Sequence, residues 1–166
     1  MGKKMCAVIV AAGRGSRMGA DINKVYLPIA GKTVLAHCIS AFAESGVFDE
    51  YVIVTGAEDF GRCREALCGA GIEYALIEGG NTRQQSVMRG ISAVTAEYCA
   101  VHDGARALIS PQLVRDTAQA ALMYGAAAPG VMPKDTPKHA GGDGFIKKTL
   151  ERGRVSMIQT PQIFLR

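Results

Sequence analysis

The sequence has no tryptophan and only 6% aromatic residues, and no Cys-x-x-Cys pair occurs in it. It also lacks a long hydrophobic run. No apolar stretch approaches the ~18–20 residues of a membrane-spanning helix, so no membrane partner is expected. The opening MGKKMCAVIVAAG is basic and then apolar, as in an export leader. Its apolar run stops in the glycine-rich GRGSRMG with no export-type continuation, and so reads as a buried first strand. A strong charge of one sign is missing as well: 19 Lys+Arg against 15 Asp+Glu give +4. Without interleaved aromatics this excess does not indicate nucleic acid, and anionic small molecules explain it equally well. The five cysteines (Cys6, Cys38, Cys63, Cys68, Cys99) are an odd number without metal-ligand spacing. They read as free, buried thiols of a cytoplasmic protein. No repeat or linker divides the chain, and 48% hydrophobic residues over 166 positions suit one domain, 1–166.

What is present is an alternation of strand and helix. Residues 5–12 are continuously apolar and bounded by glycine, as in a strand buried on both faces. Thr33 can cap a helix to about Ser45, with Leu35, Cys38, Ile39 and Phe42 on one face and Gly46 just past its end. The pattern then predicts a strand at 51–55, a helix near 59–69, a strand at 73–77 and a helix at 82–95. A strand at 98–102 follows, then a helix from Pro111 to about Tyr124, and 126–132 reads as another central strand. The expected fold is therefore α/β, Rossmann-like: a mostly parallel sheet with helices on both faces. After Met132 the chain turns polar and rich in Gly, Pro and Lys. AGGDG between two extended runs predicts a hairpin, so 133–155 is expected to form a protruding β-arm that packs on a partner.

In a parallel sheet, ligands collect beyond the carboxyl ends of the strands, and three glycine-marked segments are expected there. The first, Ala11 to Gly19, can form an anion nest, with Arg17 and Lys24 close behind as mobile cations. It is neither a Walker A loop nor a dinucleotide fingerprint, because Met18 stands where the third glycine belongs. The second, Gly79 to Ser86, places polar side chains where a base or ribose could be read, or is simply a capped helix start. The third is His102-Asp103-Gly104-Ala105-Arg106. Asp103 ends a strand, where a carboxylate suits Mg²⁺ and substrate phosphates, or caps the following turn; His102 is expected to make a structural hydrogen bond. No Gly-x-Ser-x-Gly elbow, HExxH or other covalent machinery is present. Phosphate-binding glycines, a cationic pair and a metal carboxylate point to phosphoryl or nucleotidyl transfer, which runs on positioning and electrostatics.

Ala11-Ala12-Gly13-x-Gly15-x-Arg17-Met18 with Lys24 resembles the signature of nucleotide-sugar-type nucleotidylyltransferases. Gly79-Gly80 through Arg83, Ser86-Val87, Val101 to Arg106, Asp135-Thr136, Arg152 and Thr160-Pro161-Gln162 narrow it. In this order, over essentially the whole chain, they are similar to the family of 2-C-methyl-D-erythritol 4-phosphate cytidylyltransferases of the non-mevalonate isoprenoid route. The resemblance implies CTP as co-substrate, Mg²⁺ as cofactor, and transfer of the cytidylyl group to a polyol phosphate with release of pyrophosphate. It implies Arg17 and Lys24 as the catalytic cations. Ala11, Ala12, Gly13, Gly15, Gly80, Asn81, Arg83, Ser86, Asp103 and Gly104 would bind the nucleotide, with Asp103 also at the metal. Thr136 and Arg152 on the arm would grip the polyol phosphate across a homodimer interface.

The chain departs from the family in three places. Asn81 stands where the family often has Asp, and either side chain offers an oxygen to the cytosine amino group. Ala107 stands where the family usually has proline. The sequence ends at Phe164-Leu165-Arg166, where the family continues into an acidic Thr-Asp segment and a lysine-bearing stretch that completes the alcohol-phosphate pocket. Two other readings share the loop pattern: a ribitol 5-phosphate cytidylyltransferase and a non-catalytic CTP-binding fragment.

Overall fold

The structure, a computed structural model, describes residues 4–13 and 22–166. The first strand, β1 (Met5–Val10), is buried on both faces as its unbroken apolar run demands. A two-residue hairpin, β2 (Pro28–Ile29) and β3 (Lys32–Thr33), leads into α1 (Val34–Ser45). Thr33 caps that helix by accepting from Ala36 N–H, and Gly46 ends it with a left-handed φ of 67°. Next come β4 (Glu50–Thr55), α2 (Phe60–Ala66), β5 (Ala75–Glu78), α3 (Arg83–Ser92) and β6 (Tyr98–Asp103). In α4 (Pro111–Tyr124), Ser110 caps the start ahead of Pro111 and Gly125 follows in the left-handed region.

The remaining strands are β7 (Ala126–Ala127), β8 (Gly130–Val131), β9 (Lys138–Ala140), β10 (Ile146–Thr149), β11 (Met157–Ile158) and β12 (Gln162–Leu165). Six strands form the main sheet in the order β5-β4-β1-β6-β12-β7. The first four are parallel, and β12 runs antiparallel to both of its neighbours. Helices cover both faces, as expected. Leu35, Cys38, Ile39 and Phe42 of α1 and Val114 of α4 pack with Ala7 and Ile9. On the opposite face, Val87 and Ile91 of α3 meet Cys6 and Val8. Helix α3 lies unusually close to the sheet because Gly90 has no side chain. A Cβ there would stand 2.5 Å from Val8 Cγ1 and 2.8 Å from Val54 Cγ2. This contact seats the last turns of α3 on β1 and β4.

Three sequence expectations need correction. The helix near 59–69 is a 3₁₀ turn (Ala57–Asp59) followed by the shorter α2, and the strand at 73–77 sits two residues later. Residues 126–132 are not a central strand. Pro129 cannot donate to a ladder, so the segment splits: β7 lies at the sheet edge and β8 leaves to pair with β11. The neighbour that the sequence reading omitted is β12, inserted between β6 and β7. The expected hairpin is present. Strands β9 and β10 pair antiparallel around Gly141–Gly144, every residue of both is exposed, and no buried side chain supports them.

Candidate active site

Sheet register brings the three glycine-marked segments together. Val10 of β1 pairs with Asp103 of β6 and with Val54 of β4. Immediately beyond, Ala11 N–H donates to Val54 O (2.7 Å), Gly79 N–H to Thr55 O (2.9 Å) and Gly104 N–H to Val10 O (2.9 Å). The segments therefore leave the sheet side by side. They enclose a cavity of ≈ 990 Å³ lined by Ala11–Gly13, Asn23–Val25, Gly56–Glu58, Glu78–Arg83, Ser86, Asp103, Ala105 and Arg106. Its position beyond the carboxyl ends of parallel strands is where this architecture holds ligands.

Of the expected nucleotide-binding residues, Ala11, Ala12, Gly13, Gly80, Asn81, Arg83, Ser86 and Asp103 all line this cavity, as does Lys24. Gly15 and Arg17 lie outside the described residues. Gly104 is buried, and a Cβ there would meet Ile9, Ala11 and Leu35 at 3.2–3.3 Å. Its small size thus lets the 103–106 turn settle onto the core. Thr136 and Arg152 are exposed on the arm and do not line the cavity; Arg152 Nη1 donates to Lys134 O at 3.3 Å.

The Gly79–Ser86 loop is held by its own side chains. Ser86 is buried, and its Oγ accepts from Gly80 N–H at 3.0 Å. Gln85 Oε1 accepts from Asn81 N–H at 2.9 Å, and Thr82 caps α3 by accepting from Gln85 N–H at 3.1 Å. Arg89 Nη1 donates to the carbonyls of Glu78 (3.2 Å) and Gly79 (2.9 Å). Two adjacent backbone donors are thereby satisfied internally, and the side chain of Asn81 is exposed on the cavity rim. Gly79 is obligatory for this shape, since a Cβ would stand 2.3 Å from that of Ala12.

Asp103 is the electrostatic centre of the site. Its Oδ1 accepts from Arg83 Nε (3.0 Å) and Nη2 (2.8 Å), and its Oδ2 pairs with Arg106 Nε at 3.3 Å. Burial alone would raise its carboxyl pKa; the hydrogen bonds and charges of Arg83 and Arg106 outweigh that and hold it below the usual carboxylate value. With these two arginines engaged, Lys24 is the cavity cation whose side chain makes no hydrogen bond or ion pair among the described residues. It stands at the start of a 3₁₀ turn capped by Asn23, whose Oδ1 accepts from Val25 N–H and whose Nδ2 donates to Ala11 O at 2.7 Å.

His102 does not line the cavity. It is fully buried with its ring centroid 4.9 Å from that of Phe42. Its Nδ1 lies 2.9 Å from Thr160 Oγ1, the structural hydrogen bond expected of it. Thr160 Oγ1 also accepts from Asp103 N–H at 3.4 Å, so this one hydroxyl joins His102 to the 103–106 turn. The ring Nε2 has no partner among the described residues. Burial pushes the His102 pKa down to about 4, against a smaller opposing effect of Asp103.

Sequence reasoning missed Asn23, Arg89 and the pairing role of Arg106. Asn23 had a readable signal, a capping residue directly before Lys24. Nothing local announces the contacts of Arg89 and Arg106, which depend on the packed loops.

Residues 5–166 match the family described as IspD: 2-C-methyl-D-erythritol 4-phosphate cytidylyltransferase. A protein of that name from Caldanaerobacter subterraneus is 45% identical over 163 residues, covering 95% of this chain and 72% of its own length. One from Clostridium acetobutylicum is 40% identical over 166 residues, covering 96% and 71%. Among solved structures, the 4-diphosphocytidyl-2C-methyl-D-erythritol synthase of Anaerococcus prevotii aligns with a TM-score of 0.87 at 27% identity, covering 98% of this chain and 71% of that one. The loops that meet in the cavity and these matches agree: the chain belongs to the 2-C-methyl-D-erythritol 4-phosphate cytidylyltransferase family.

Proposed function

We propose that this protein transfers the cytidylyl group of CTP to 2-C-methyl-D-erythritol 4-phosphate, giving 4-diphosphocytidyl-2-C-methyl-D-erythritol and pyrophosphate. The observation that carries this reading is the convergence of Ala11–Gly13, Lys24, Gly80–Arg83, Ser86 and Asp103 on one cavity, in a chain of this family. The nucleotide lies in that cavity with its base toward Asn81 and its ribose near Asp103. An oxygen of the polyol phosphate attacks the α-phosphorus in line, and the bond to the bridging β-phosphate oxygen breaks. Lys24, together with Arg17, stabilises the negative charge that grows on the α-phosphate and the departing pyrophosphate.

The reading includes Mg²⁺. Among the described residues no group of three or more His, Cys, Asp or Glu is placed to cage a metal ion. Asp103 accepts two bonds on Oδ1 and one on Oδ2, so a lone pair on Oδ2 remains that could hold Mg²⁺, an ion that keeps several waters and takes most of its other ligands from substrate phosphates. When bound it would neutralise charge on the triphosphate. The test is pyrophosphate release with CTP and each polyol phosphate in turn. Turnover with methylerythritol phosphate is expected. Turnover with ribitol 5-phosphate alone would overturn the substrate assignment, and CTP binding without turnover would identify a non-catalytic fragment.

The protein works as a homodimer through 133–155, in a single domain spanning 1–166. Support comes from apolar side chains left exposed: Val131, Met132, Met157 and Ile158 where the arm joins the body, and Phe145 and Ile146 in the hairpin, are all at least half exposed. A two-stranded ribbon carrying such residues needs a further surface to cover it, and a second copy supplies an identical one. Thr136 and Arg152 would then reach the polyol phosphate in the partner's cavity. Deleting 134–150 should yield monomers with lost polyol-phosphate affinity and intact CTP binding; a persisting dimer by light scattering would refute the arm's role. A cytoplasmic location fits the five free cysteines, four of them buried. No helix among the described residues is long and apolar enough to cross a membrane.

A further inference from the structure

The arm's return segment meets the 103–106 turn, which forms part of the cavity wall. Between β11 and β12 the chain passes Gln159 and Thr160, and both side chains reach the 103–106 turn. Thr160 Oγ1 accepts from Asp103 N–H, and Gln159 Oε1 accepts from Arg106 Nη1. Gln159 is itself anchored, since its N–H donates to Pro129 O at 2.8 Å, and it is half-buried without lining the cavity. Arginine has only donors, so the glutamine must present its oxygen to it. The result is a continuous chain of polar contacts: Gln159 to Arg106, Arg106 Nε to Asp103 Oδ2, Asp103 Oδ1 to Arg83.

We propose that Gln159 is a positioning residue for nucleotide binding: it fixes the Arg106 guanidinium against Asp103 and so ties the arm's return segment to the nucleotide cavity. The physical argument concerns orientation. The Arg106 side chain is 44% exposed and its contact with Asp103 is long at 3.3 Å, so that ion pair alone holds the fork loosely. A second contact, from an anchored amide, restricts the guanidinium to one plane. Asp103 is then gripped from both sides, by Arg83 at the start of α3 and by Arg106 from its own turn. Without Gln159, Arg106 turns to solvent and Asp103 follows Arg83 alone. The carboxylate that faces the nucleotide would lose its fixed direction.

This inference rests on the reading of the cavity as a CTP site, and the experiment separates the two. CTP with Mg²⁺ is titrated calorimetrically into the full chain and into Gln159→Leu and Gln159→Glu. The leucine variant keeps the bulk and loses the acceptor; the glutamate keeps an acceptor for Arg106. Gln159→Leu should weaken CTP binding about 5–10-fold with the melting temperature within about 2 °C, the expected loss of one charge-assisted contact. Gln159→Glu should stay within about 2-fold of the parent, a rescue that a space-filling role would not produce. Parent-like binding by the leucine variant, or equal weakening by both, overturns the proposal. The Arg106 Nε–H resonance provides a readout without ligand. It should be sharp in the parent and in Gln159→Glu, and broadened by exchange in Gln159→Leu. If the parent fails to bind CTP the cavity reading falls, and an unchanged Arg106 resonance in Gln159→Leu would still refute the contact chain on its own.

Discussion

Replacing Lys24 with alanine should lower turnover about 100- to 1,000-fold, the range seen when a preorganised group facing developing charge is removed. The melting temperature should move by no more than about 2 °C. The separation of these effects follows from the surroundings of Lys24. It is exposed, it opens a one-turn 3₁₀ helix, and it makes no ion pair among the described residues. Surface side chains of that kind contribute about ±0.5 kcal/mol to stability. Arg83 and Arg106 cannot substitute for it, because both are committed to Asp103. Asn23 keeps the lysine at the cavity by bonding to Ala11 O, so the alanine variant retains the loop and loses only the charge. Lys24→Arg should recover part of the rate, as a cation of different shape and donor geometry. Pyrophosphate release at saturating substrates, beside a thermal melt, checks both halves. Turnover within about 3-fold of the parent would remove Lys24 from the mechanism.

The second large effect is on acid stability. His102 is buried and neutral, with its folded-state pKa lowered to about 4 from 6.5. Between those two values the unfolded chain binds a proton that the folded chain refuses, so stability falls as pH drops from about 6.5 toward 4 and is flat above. At 1.36 kcal/mol per pKa unit the loss amounts to about 3 kcal/mol when the window has been crossed. Its physical source is mainly desolvation. An imidazolium would sit beside the Phe42 ring with its Nε2 proton unpartnered. Urea unfolding at pH 7.5 and 4.5, in the parent and in His102→Gln, isolates the effect from the carboxylates common to both. The glutamine variant should be the less stable at pH 7.5, and the gap should shrink or reverse by about 2–3 kcal/mol at pH 4.5. An equal gap at both pH values would show that His102 is not held neutral by its burial.

Both predictions use features that were legible in the sequence to different degrees. Thr33, Gly46 and Pro111 announced their helix ends because capping is local chemistry, decided within four residues. Lys24 and Asp103, which line the cavity, stood out for a similar reason: a cation behind a glycine loop and an acid at a strand end are signals of position alone. The edge of the sheet was misread because β12 is a four-residue strand whose place depends on β6 and β7, which come much earlier in the chain. A short run such as Gln162–Leu165 has no periodicity to reveal it. The state of Asp103 was hidden likewise. Arg83 and Arg106 were each visible, but their convergence on one carboxylate arises only when α3 and the 103–106 turn are packed. Ser86 shows how a correct placement can carry an unforeseen task. It lines the cavity as expected, and its hydroxyl shapes the Gly79–Gly80 loop from below.

The insertion of β12 between β6 and β7 also sets the order in which the molecule can be completed during synthesis. Residues 128–161, the whole arm included, must be made before the strand that joins β6 to β7 exists. Until residue 165 has emerged, β6 presents an unpaired edge bearing Cys99 and Val101, and β7 has no partner in the sheet. Such an edge is a template for pairing with other nascent chains. The hydrophilic hairpin is then an advantage for folding as well as for assembly. Its strands are neighbours in sequence and add only Ala140 and Ile146 as apolar side chains, with Phe145 beside them, while the sheet waits to be closed.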